Sequence, residues 1–223
     1  MSDRYAVIGN PTSHSKSPLI HAEFARLTKQ DLTYSALLAP RDGFAKAVED
    51  FAKQGGAGLN VTVPFKEEAF QLAFSLSARA RAAKAVNTLN REAERWFGDN
   101  TDGAGLVRDL SVNLQVELGD SRILLLGAGG AARGVLLPLL EERPRSLTIV
   151  NRTQARAEQL RDEVAAEFAA LAPLLSVTGY GDLSGAFDLI INATSASLKN
   201  DSPPVPKKVF SSARLVYDMM YGA

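Results

Sequence analysis

The sequence predicts an α/β fold made of two units, and two observations point to it. Short apolar runs alternate with longer segments in which apolar residues recur at helical spacing. Turns containing glycine, proline or asparagine separate these segments. Because this alternation is typical of strands and helices that build parallel sheets, we expect one α/β sheet in each unit and a cleft between the two units.

Composition excludes several classes of function. The chain has 223 residues, of which 46% are hydrophobic, and its 25 basic side chains balance its 25 acidic ones. A net charge of zero gives little attraction to a polyanion, so we expect no nucleic-acid partner. Cysteine is absent and only His14 and His21 offer imidazole, which excludes disulfides and predicts no metal site.

The chain is also expected to be cytoplasmic. None of its apolar runs is long enough to span a membrane, so we predict no membrane partner. Residues 1–5 include acidic Asp3 and lack the apolar stretch of a secretory signal.

In the first half, strands and helices alternate in the order β-α-β-α-β. The predicted strands are residues 5–8, 32–38 and 59–63, and the second helix covers 44–51. The first helix is predicted to have Ser17 as its N-cap and Pro18 as its first residue. Its apolar positions are Leu19, Ile20, Phe24 and Leu27. After Pro64 we predict two further helices, the first with Glu67 and Glu68 in its opening turn.

A hairpin, residues 85–90 against 95–98, is predicted to end the first unit. The second unit is predicted to contain strands 123–126, 147–150 and 189–192 with helices 131–140 and 154–170, after a connecting helix at 103–110. We therefore divide the chain into a first domain at 1–102, a connecting helix and linker at 103–118, and a second domain at 119–223.

A glycine-rich turn follows the strand 123–126 and opens a helix. Its residues are Gly127, Ala128, Gly129, Gly130, Ala131 and Ala132, which fit the pattern G-x-G-x-x-A. In a Rossmann-like doubly wound fold these small residues let the backbone approach a pyrophosphate at the helix N-terminus. The alternative interpretation is a helix start whose small residues serve close packing alone. With a strand before and a helix after, the pattern favours dinucleotide binding.

The end of the next strand indicates which dinucleotide. A fold specific for NAD carries an acidic residue there for the ribose hydroxyls, but this chain has Asn151, Arg152 and Thr153, followed by Arg156. The two arginines suit a 2′-phosphate, and Asn151 and Thr153 can add hydrogen bonds. The alternative is a solvated helix start with surface arginines. The sequence favours NADP over NAD.

Four polar clusters of the first half fall at strand ends or loops, where parallel sheets present ligand-binding groups. They are residues 13–17, 60–66, 87–88 and 99–103. Each has a simpler explanation: capping by Ser17, a solvated Lys66, strand pairing at Asn87, and an N-cap at Asp102. Together they offer hydroxyl, amide, ammonium and carboxylate groups, which complement a polyhydroxylated ligand.

These motifs carry a resemblance that spans nearly the whole chain. The matching strings are Gly9-Asn10-Pro11 with Ser15-Lys16-Ser17-Pro18, Asn60-Val61-Thr62-Val63-Pro64-Phe65-Lys66, Ala85-Val86-Asn87-Thr88, Asn100-Thr101-Asp102-Gly103, the glycine-rich turn, Asn151-Arg152-Thr153, Asn192-Ala193-Thr194 and Tyr217-Asp218-Met219. In this order they resemble those of the shikimate dehydrogenase family.

The resemblance implies a substrate domain, an NADP-binding domain, and the reversible reduction of 3-dehydroshikimate to shikimate by NADPH in aromatic amino-acid (chorismate) biosynthesis. It implies that Lys66 and Asp102 form the catalytic pair. Substrate is implied to contact Ser15, Ser17, Thr62, Lys66, Asn87, Asp102 and Tyr221. The cofactor is implied to contact Gly127, Ala128, Gly129, Gly130, Ala131, Asn151, Arg152, Thr153, Arg156 and Met219.

Members of this family continue beyond the position of Ala223, into a segment with a substrate-binding glutamine and closing helices. From this difference we expect a truncated form with an exposed apolar face and impaired turnover. Two other functions stay open: a quinate/shikimate dehydrogenase that uses NAD, and a non-catalytic protein that binds NADP or shikimate. Either a monomer or a homodimer is compatible with the sequence.

Overall fold

The computed structural model describes residues 2–196 and 201–220. The chain forms two compact units, the first ending at Thr101 and the second beginning at Asp102. Both units contain a sheet with helices packed against it, so the α/β class predicted from the sequence is confirmed. None of the helices in these two ranges has the length and apolar character needed to cross a membrane.

The first unit is built on a six-stranded sheet. Its strands are β1 (Asp3–Gly9), β2 (Leu32–Leu38), β3 (Gly56–Val61), β4 (Ser75–Leu76), β5 (Thr88–Glu92) and β6 (Arg95–Asp99), in the order β2-β1-β3-β5-β6-β4. The predicted β-α-β-α-β segment gives three parallel strands, with β1 in the middle. Strand β5 is antiparallel to both of its neighbours. The helices are α1 (Ser17–Thr28), α2 (Phe44–Lys53), α3 (Lys66–Leu72) and α4 (Ala78–Ala83).

One face of this sheet forms the core of the first unit. Helix α2 contributes Phe44, Val48 and Phe51, which are all buried. Phe44 stacks on Phe65, with ring centroids 4.9 Å apart. Alternate residues of the strands complete this cluster, because successive side chains of a strand point to opposite faces. They include Ala6, Ile8, Leu59, Val61 and Leu89.

Helix α1 differs from its prediction in two ways. It begins one residue early, with Lys16 as N-cap and Ser17 as its first residue, so the predicted capping role of Ser17 is wrong. The physical reason is that Lys16 already has near-helical dihedral angles, φ −89° and ψ −3°. In addition, none of the residues of α1 is buried. Its apolar positions Leu19, Ile20, Phe24 and Leu27 are 76%, 46%, 55% and 61% exposed.

The second unit contains a five-stranded, all-parallel sheet. Its strands are β7 (Arg122–Leu126), β8 (Ser146–Val150), β9 (Leu175–Thr178), β10 (Leu189–Asn192) and β11 (Leu215–Asp218), in the order β11-β10-β7-β8-β9. Counted within the unit, this is the order 3-2-1-4-5 of a Rossmann-like sheet. The helices are α5 (Asp102–Arg108), which runs into a π-helical turn (Asp109–Asn113), then α6 (Gly130–Glu141) and α7 (Gln154–Glu167).

Both faces of this second sheet are covered. Along β7, Ile123 and Leu125 belong to one apolar cluster while Leu124 and Leu126 belong to another. All four residues of β10 are buried as well. Continuous apolar strands of this kind are expected in a parallel sheet with helices on both sides. The switch in strand order lies between β7 and β10, which is where such folds bind ligands.

Several predicted boundaries are wrong. The first strand of the hairpin begins at Thr88 rather than at residue 85. The backbone of Val86 is hydrogen-bonded to Lys66, and that of Asn87 to Val61 and Asp99. The connecting helix covers 102–108 and continues as a π-helical turn, and the helix predicted to reach residue 170 ends at 167. Strands β4, β9 and β11 were missed; they have two to four residues and lie at sheet edges. Short strands of this kind carry little periodic signal.

Candidate active site

The ends of β1 and β3 lie side by side in the first unit and hold Thr62 in place. The Asn10 N–H donates to the Val63 carbonyl at 2.9 Å, and the Thr62 N–H donates to the Ile8 carbonyl at 2.9 Å. Gly9 permits this approach, because a Cβ atom there would overlap the Thr62 methyl group. The predicted substrate residue Thr62 is therefore fixed at the carboxyl end of two parallel strands, half-buried.

Ser15 and Ser17 present adjacent hydroxyls at the start of α1. The Ser15 N–H donates to the Thr12 carbonyl at 3.0 Å, which forms a turn after β1. The Ser15 hydroxyl accepts a hydrogen bond from the Ser17 N–H at 3.3 Å and donates to the Ser17 hydroxyl at 3.2 Å. Both serines are half-buried. The structure thus brings together the two hydroxyls that the sequence singled out.

Lys66 is the first residue of α3. The helix is anchored by Phe65, which is fully buried and whose N–H donates to the Thr62 carbonyl at 3.1 Å. Glu67 and Glu68 lie in the first turn, as predicted. The Lys66 carbonyl accepts a hydrogen bond from the Val86 N–H at 2.8 Å. The polar clusters at 60–66 and 85–88 are therefore neighbours in space.

Asn87 lies where β3, β5 and β6 converge. Its N–H donates to the Asp99 carbonyl at 3.0 Å, and its carbonyl accepts from the Val61 N–H at 2.7 Å. Its side-chain amide nitrogen donates to the Thr101 hydroxyl at 2.9 Å, and its amide oxygen accepts from the Thr101 N–H at 3.0 Å. Three of the four predicted polar clusters therefore meet at one edge of the first sheet.

Sequence reasoning named no role for Asp99 and Asn100, which support this edge. Asn100 is buried and donates to the Ala85 carbonyl at 2.9 Å. The Asp99 carboxylate forms an ion pair with Arg79 and accepts a hydrogen bond from the Ser77 hydroxyl at 2.6 Å. Chiefly because of Arg79, the pKa of Asp99 falls from 3.8 to about 2. The cluster 99–103 indicated a site, but the two side chains that bind the Asp99 carboxylate, Ser77 and Arg79, lie 20 or more residues away in the sequence.

Asp102 is the first residue of α5 in the second unit, and it is half-buried. The following residue, Gly103, is buried where α5 packs on α6. A Cβ atom on Gly103 would lie 2.5 Å from the Gly134 carbonyl oxygen and would overlap the Pro138 ring. Gly103 therefore belongs to the motif because two helices approach closely there, which fixes the position of the Asp102 backbone.

The glycine-rich turn in the second unit has the geometry that its pattern predicts. Gly127 adopts φ +113°, a conformation that favours glycine, and its N–H donates to the Val150 carbonyl at 2.8 Å. Gly129 is the N-cap of α6, and a Cβ atom there would meet no other atom within 4 Å. Ala132 is fully buried against the sheet. The turn therefore leaves open space in front of the positive end of a helix dipole, which suits a pyrophosphate.

Gly130 and Ala131 are the first two residues of α6, and Ala128 is buried between β7 and this helix. All five residues of the turn predicted to contact the cofactor thus lie at the carboxyl end of β7.

The segment after β8 exposes two arginines. Asn151 donates to the Thr153 carbonyl at 2.9 Å, and Thr153 is the N-cap of α7. Arg152 and Arg156 are both exposed. Burial raises the pKa of Tyr180, beyond the end of β9, while the charge of Arg152 acts in the opposite direction. Arg152 follows closely after the carboxyl end of β8, where a 2′-phosphate is expected in this fold.

The ends of β10 and β11 are joined by Asn192 and Asp218, two residues for which the sequence analysis named no role. The Asn192 amide donates to the Asp218 carboxylate at 3.1 Å, and the Met219 N–H donates to the Asn192 carbonyl at 2.9 Å. The Met220 N–H donates to the same carboxylate at 2.9 Å. These bonds hold the half-buried Met219 beside the switch point of the sheet. A Cβ atom on Gly127 would lie 3.2 Å from the Ala193 carbonyl, so the glycine-rich turn is adjacent.

The predicted substrate residue Tyr221 lies outside the described residues. Within residues 2–196 and 201–220, His, Asp and Glu side chains form no group of three that could hold a metal ion.

Comparison with known proteins decides the family. Residues 7–89 match the family model described as the shikimate dehydrogenase substrate binding domain. Residues 110–201 match the model described as shikimate / quinate 5-dehydrogenase. The chain belongs to the shikimate dehydrogenase family. The resemblance carried by the sequence motifs is thereby confirmed, and the division between the two models agrees with the two units of the fold.

Individual shikimate dehydrogenases are similar over the whole chain. The "Shikimate dehydrogenase (NADP(+))" of Herminiimonas arsenicoxydans is 56% identical over 223 residues, which cover 100% of this chain and 80% of that protein. Its counterpart from Nitrosospira multiformis is 59% identical, with 100% and 79% covered.

A solved structure of the Thermus thermophilus shikimate 5-dehydrogenase, in complex with NADP(H) and shikimate, has a TM-score of 0.81. It is 29% identical, with 97% of this chain and 78% of that chain covered.

Proposed function

We propose that this chain is an NADP-dependent shikimate dehydrogenase, which catalyses the reversible reduction of 3-dehydroshikimate to shikimate in aromatic amino-acid biosynthesis. The observation that carries the proposal is identity above 50% over the full chain to enzymes of that name. In this proposal, residues 1–102 bind substrate, 103–118 connect the domains, and 119–223 bind NADP.

The substrate residues are proposed to be Ser15, Ser17, Thr62, Lys66, Asn87, Asp102 and Tyr221. Support comes from the hydrogen bonds that join the ends of β1, β3, β5 and β6, since they bring the backbones of Thr62, Lys66 and Asn87 together at one edge of the first sheet. A ligand with several hydroxyls and a carboxylate needs donors and acceptors of the types that the proposed residues carry.

Lys66 is proposed to be the group that transfers the proton in the reaction. Bound NADPH supplies the hydride, and its arrival at a carbonyl carbon leaves negative charge on the oxygen. A positioned ammonium stabilises that charge and donates a proton, and in the oxidation of shikimate the neutral amine accepts the proton of the alcohol. Asp102 is proposed as the second member of this catalytic pair, holding substrate and ammonium in position.

The cofactor is proposed to bind along the carboxyl edge of the second sheet. Gly127, Ala128, Gly129, Gly130 and Ala131 form the pyrophosphate site, and Asn151, Arg152, Thr153 and Arg156 form the site of the 2′-phosphate. Met219 lies at the switch point, where the nicotinamide is proposed to bind. The fit rests on the open space at Gly129, the positive φ of Gly127 and the exposed guanidinium groups.

The test is absorbance at the nicotinamide band, with shikimate or quinate as substrate and NADP⁺ or NAD⁺ as cofactor. We expect reduction of NADP⁺ with shikimate, and much slower reduction in the other three combinations. Faster turnover of quinate with NAD⁺ would identify a quinate/shikimate dehydrogenase. Tight binding of NADP⁺ without any oxidation of shikimate would instead identify a binding protein.

We also propose that the enzyme acts in the cytoplasm as a monomer or homodimer, without a nucleic-acid partner. Support comes from the balanced charge of the chain, which offers no attraction to a polyanion. Sedimentation equilibrium distinguishes the two oligomeric states, and retention on heparin at low salt would contradict the absence of a polyanion partner.

A further inference from the structure

A long-range hydrogen bond joins the connecting helical segment to an edge strand of the second sheet. The Tyr217 hydroxyl on β11 donates to one oxygen of the Asp109 carboxylate at 2.8 Å, although 108 residues separate the two in the sequence. The other carboxylate oxygen accepts from the Asn113 amide at 2.7 Å. An ionised carboxylate can only accept, so the phenol is the donor, and such a charge-assisted bond is stronger than one between neutral groups.

The two groups have the protonation states that this bond needs. Burial, and to a smaller extent the Asp109 carboxylate, raise the pKa of Tyr217. Hydrogen bonds from Asn113 and from Tyr217 lower the pKa of Asp109. Near pH 7 the phenol therefore keeps its proton and the carboxylate stays ionised.

Asp109 lies at the point where the helical repeat changes. It is the first residue of the π-helical turn that continues α5, and its carbonyl accepts from the Leu114 N–H, five residues later, at 2.9 Å. Such turns are rare and are frequent at functional sites. Leu106 and Leu110, before and after this point, are buried in the core of the second unit. The hydrogen bond to Tyr217 adds a directional contact to this apolar packing.

The two elements that the bond joins carry groups of the proposed active site. Helix α5 begins with Asp102, seven residues before Asp109, which corresponds to about 10 Å along a helix. Met219 follows Tyr217 by two residues, directly after the end of β11. Both Tyr217 and Met219 pack against the apolar cluster that contains Leu106 and Leu110. A shift of α5 against β11 would therefore move Asp102 relative to Met219.

We infer that Tyr217 and Asp109 are positioning residues, whose hydrogen bond keeps the catalytic carboxylate and the nicotinamide site at a fixed spacing during hydride transfer. This inference rests on the proposed function, because it takes Asp102 as a catalytic residue and Met219 as a cofactor contact. Hydride transfer requires reacting atoms about 3–3.5 Å apart, and a displacement of about 1 Å by a remote substitution can cost on the order of 10²-fold in rate. The sequence analysis used Tyr217 only as part of a matching string and named no role for Asp109.

The first test uses Tyr217→Phe, which keeps the ring and removes the hydroxyl. The measured quantity is the rate of hydride transfer in a single turnover with saturating shikimate and NADP⁺, followed at the nicotinamide band. We expect this rate to fall about five- to tenfold, because the alignment of the reacting groups is less well fixed. The KM for shikimate should change less than about twofold, since the proposed substrate residues are all kept. An unchanged rate of hydride transfer would overturn the inference.

The second test is a double-mutant cycle with Asp109→Ala, which removes the acceptor. If the two residues act through one hydrogen bond, the variant with both substitutions should lose about five- to tenfold, as each single variant does, and not the product of about 25- to 100-fold. Asp109→Asn keeps an oxygen that can accept from Tyr217 and should stay within about twofold of the wild-type rate. Losses that multiply in the double variant would overturn the inference.

Ser111→Ala is the matched control in the same π-helical turn. The Ser111 hydroxyl donates to the Val107 carbonyl at 2.7 Å, so this substitution removes a hydrogen bond that stays within the helical segment. We expect the rate of hydride transfer to stay unchanged. A loss equal to that of Tyr217→Phe would show that any weakening of the segment slows the reaction, and would overturn the role of the bond to β11.

These outcomes separate the inference from the function on which it rests. Wild-type protein that neither binds nor oxidises shikimate would contradict the proposed function and, with it, this inference. An active wild type together with unchanged rates in Tyr217→Phe and Asp109→Ala would overturn the inference alone. Thermal midpoints of all the variants show whether a lower rate reflects lost stability, and Asp109→Ala provides a second probe should Tyr217→Phe fold poorly.

Discussion

Replacing Gly103 by alanine should destabilise the second unit, although alanine is the better helix former. The new Cβ atom would lie 2.5 Å from the Gly134 carbonyl oxygen, where ordinary contacts begin near 3.4 Å. Helices α5 and α6 would have to separate by roughly 1 Å, and such overpacking costs about 1–3 kcal/mol. We expect the free energy of unfolding to fall by that amount.

Gly105 provides the matched control within the same helix. A Cβ atom there would meet no other atom within 4 Å, so Gly105→Ala adds helix propensity without a clash and should stabilise by about 0.5–1 kcal/mol. Urea unfolding followed by far-UV circular dichroism measures both variants. Trp96, the single tryptophan, lies on β6 and reports the first unit by fluorescence. Equal stabilisation by both substitutions would refute the packing argument.

Three further predictions concern charge and cofactor binding. Because the pKa of Asp99 is lowered, its ionised form stabilises the fold above pH 3.8, and this stabilisation is lost as the pH falls to about 2. Between pH 3.8 and about 2, the free energy of unfolding of Asp99→Asn should therefore fall less steeply with pH than that of the wild type. Equal slopes of the unfolding free energy against pH in the two proteins would disprove this. Arg152→Ala should raise the KM for NADPH far more than the KM for NADH, whereas equal effects would remove Arg152 from the phosphate site. Asp218→Asn should weaken the hydrogen bonds that hold Met219 in place, and we expect the Kd for NADP⁺ to rise by about three- to tenfold in calorimetry. The Kd for shikimate should stay unchanged and serves as the internal control.

Much of the fold could be predicted because its strands and helices have distinct periodicities. The glycine-rich turn and its position between a strand and a helix follow from a buried strand, small residues and a helix start. The polar segments 60–66, 85–88 and 99–101 lie close together because each of them is at a strand end. These features depend on residues near each other in the sequence, or on the general geometry of parallel sheets.

Other features depend on strand register, which a single sequence does not specify. Tyr34 and Asn60 are 26 residues apart, and Asn60 and Thr88 are 28 apart, so only the observed pairing shows that they form one chain of hydrogen bonds. Helix α1 illustrates a different limit. Its apolar spacing predicts a helix correctly, yet the same spacing would ordinarily indicate a buried face, and here that face is exposed.

The most direct test of the proposed mechanism is the turnover of Lys66→Ala with shikimate and NADP⁺. Loss of the proton-transfer group should lower kcat by about 10²- to 10⁴-fold with little change in the KM for shikimate. Lys46→Ala, which removes an exposed lysine of α2, is the matched control and should turn over at the wild-type rate. Turnover of Lys66→Ala at the wild-type rate would contradict the assignment of Lys66 as the group that moves the proton.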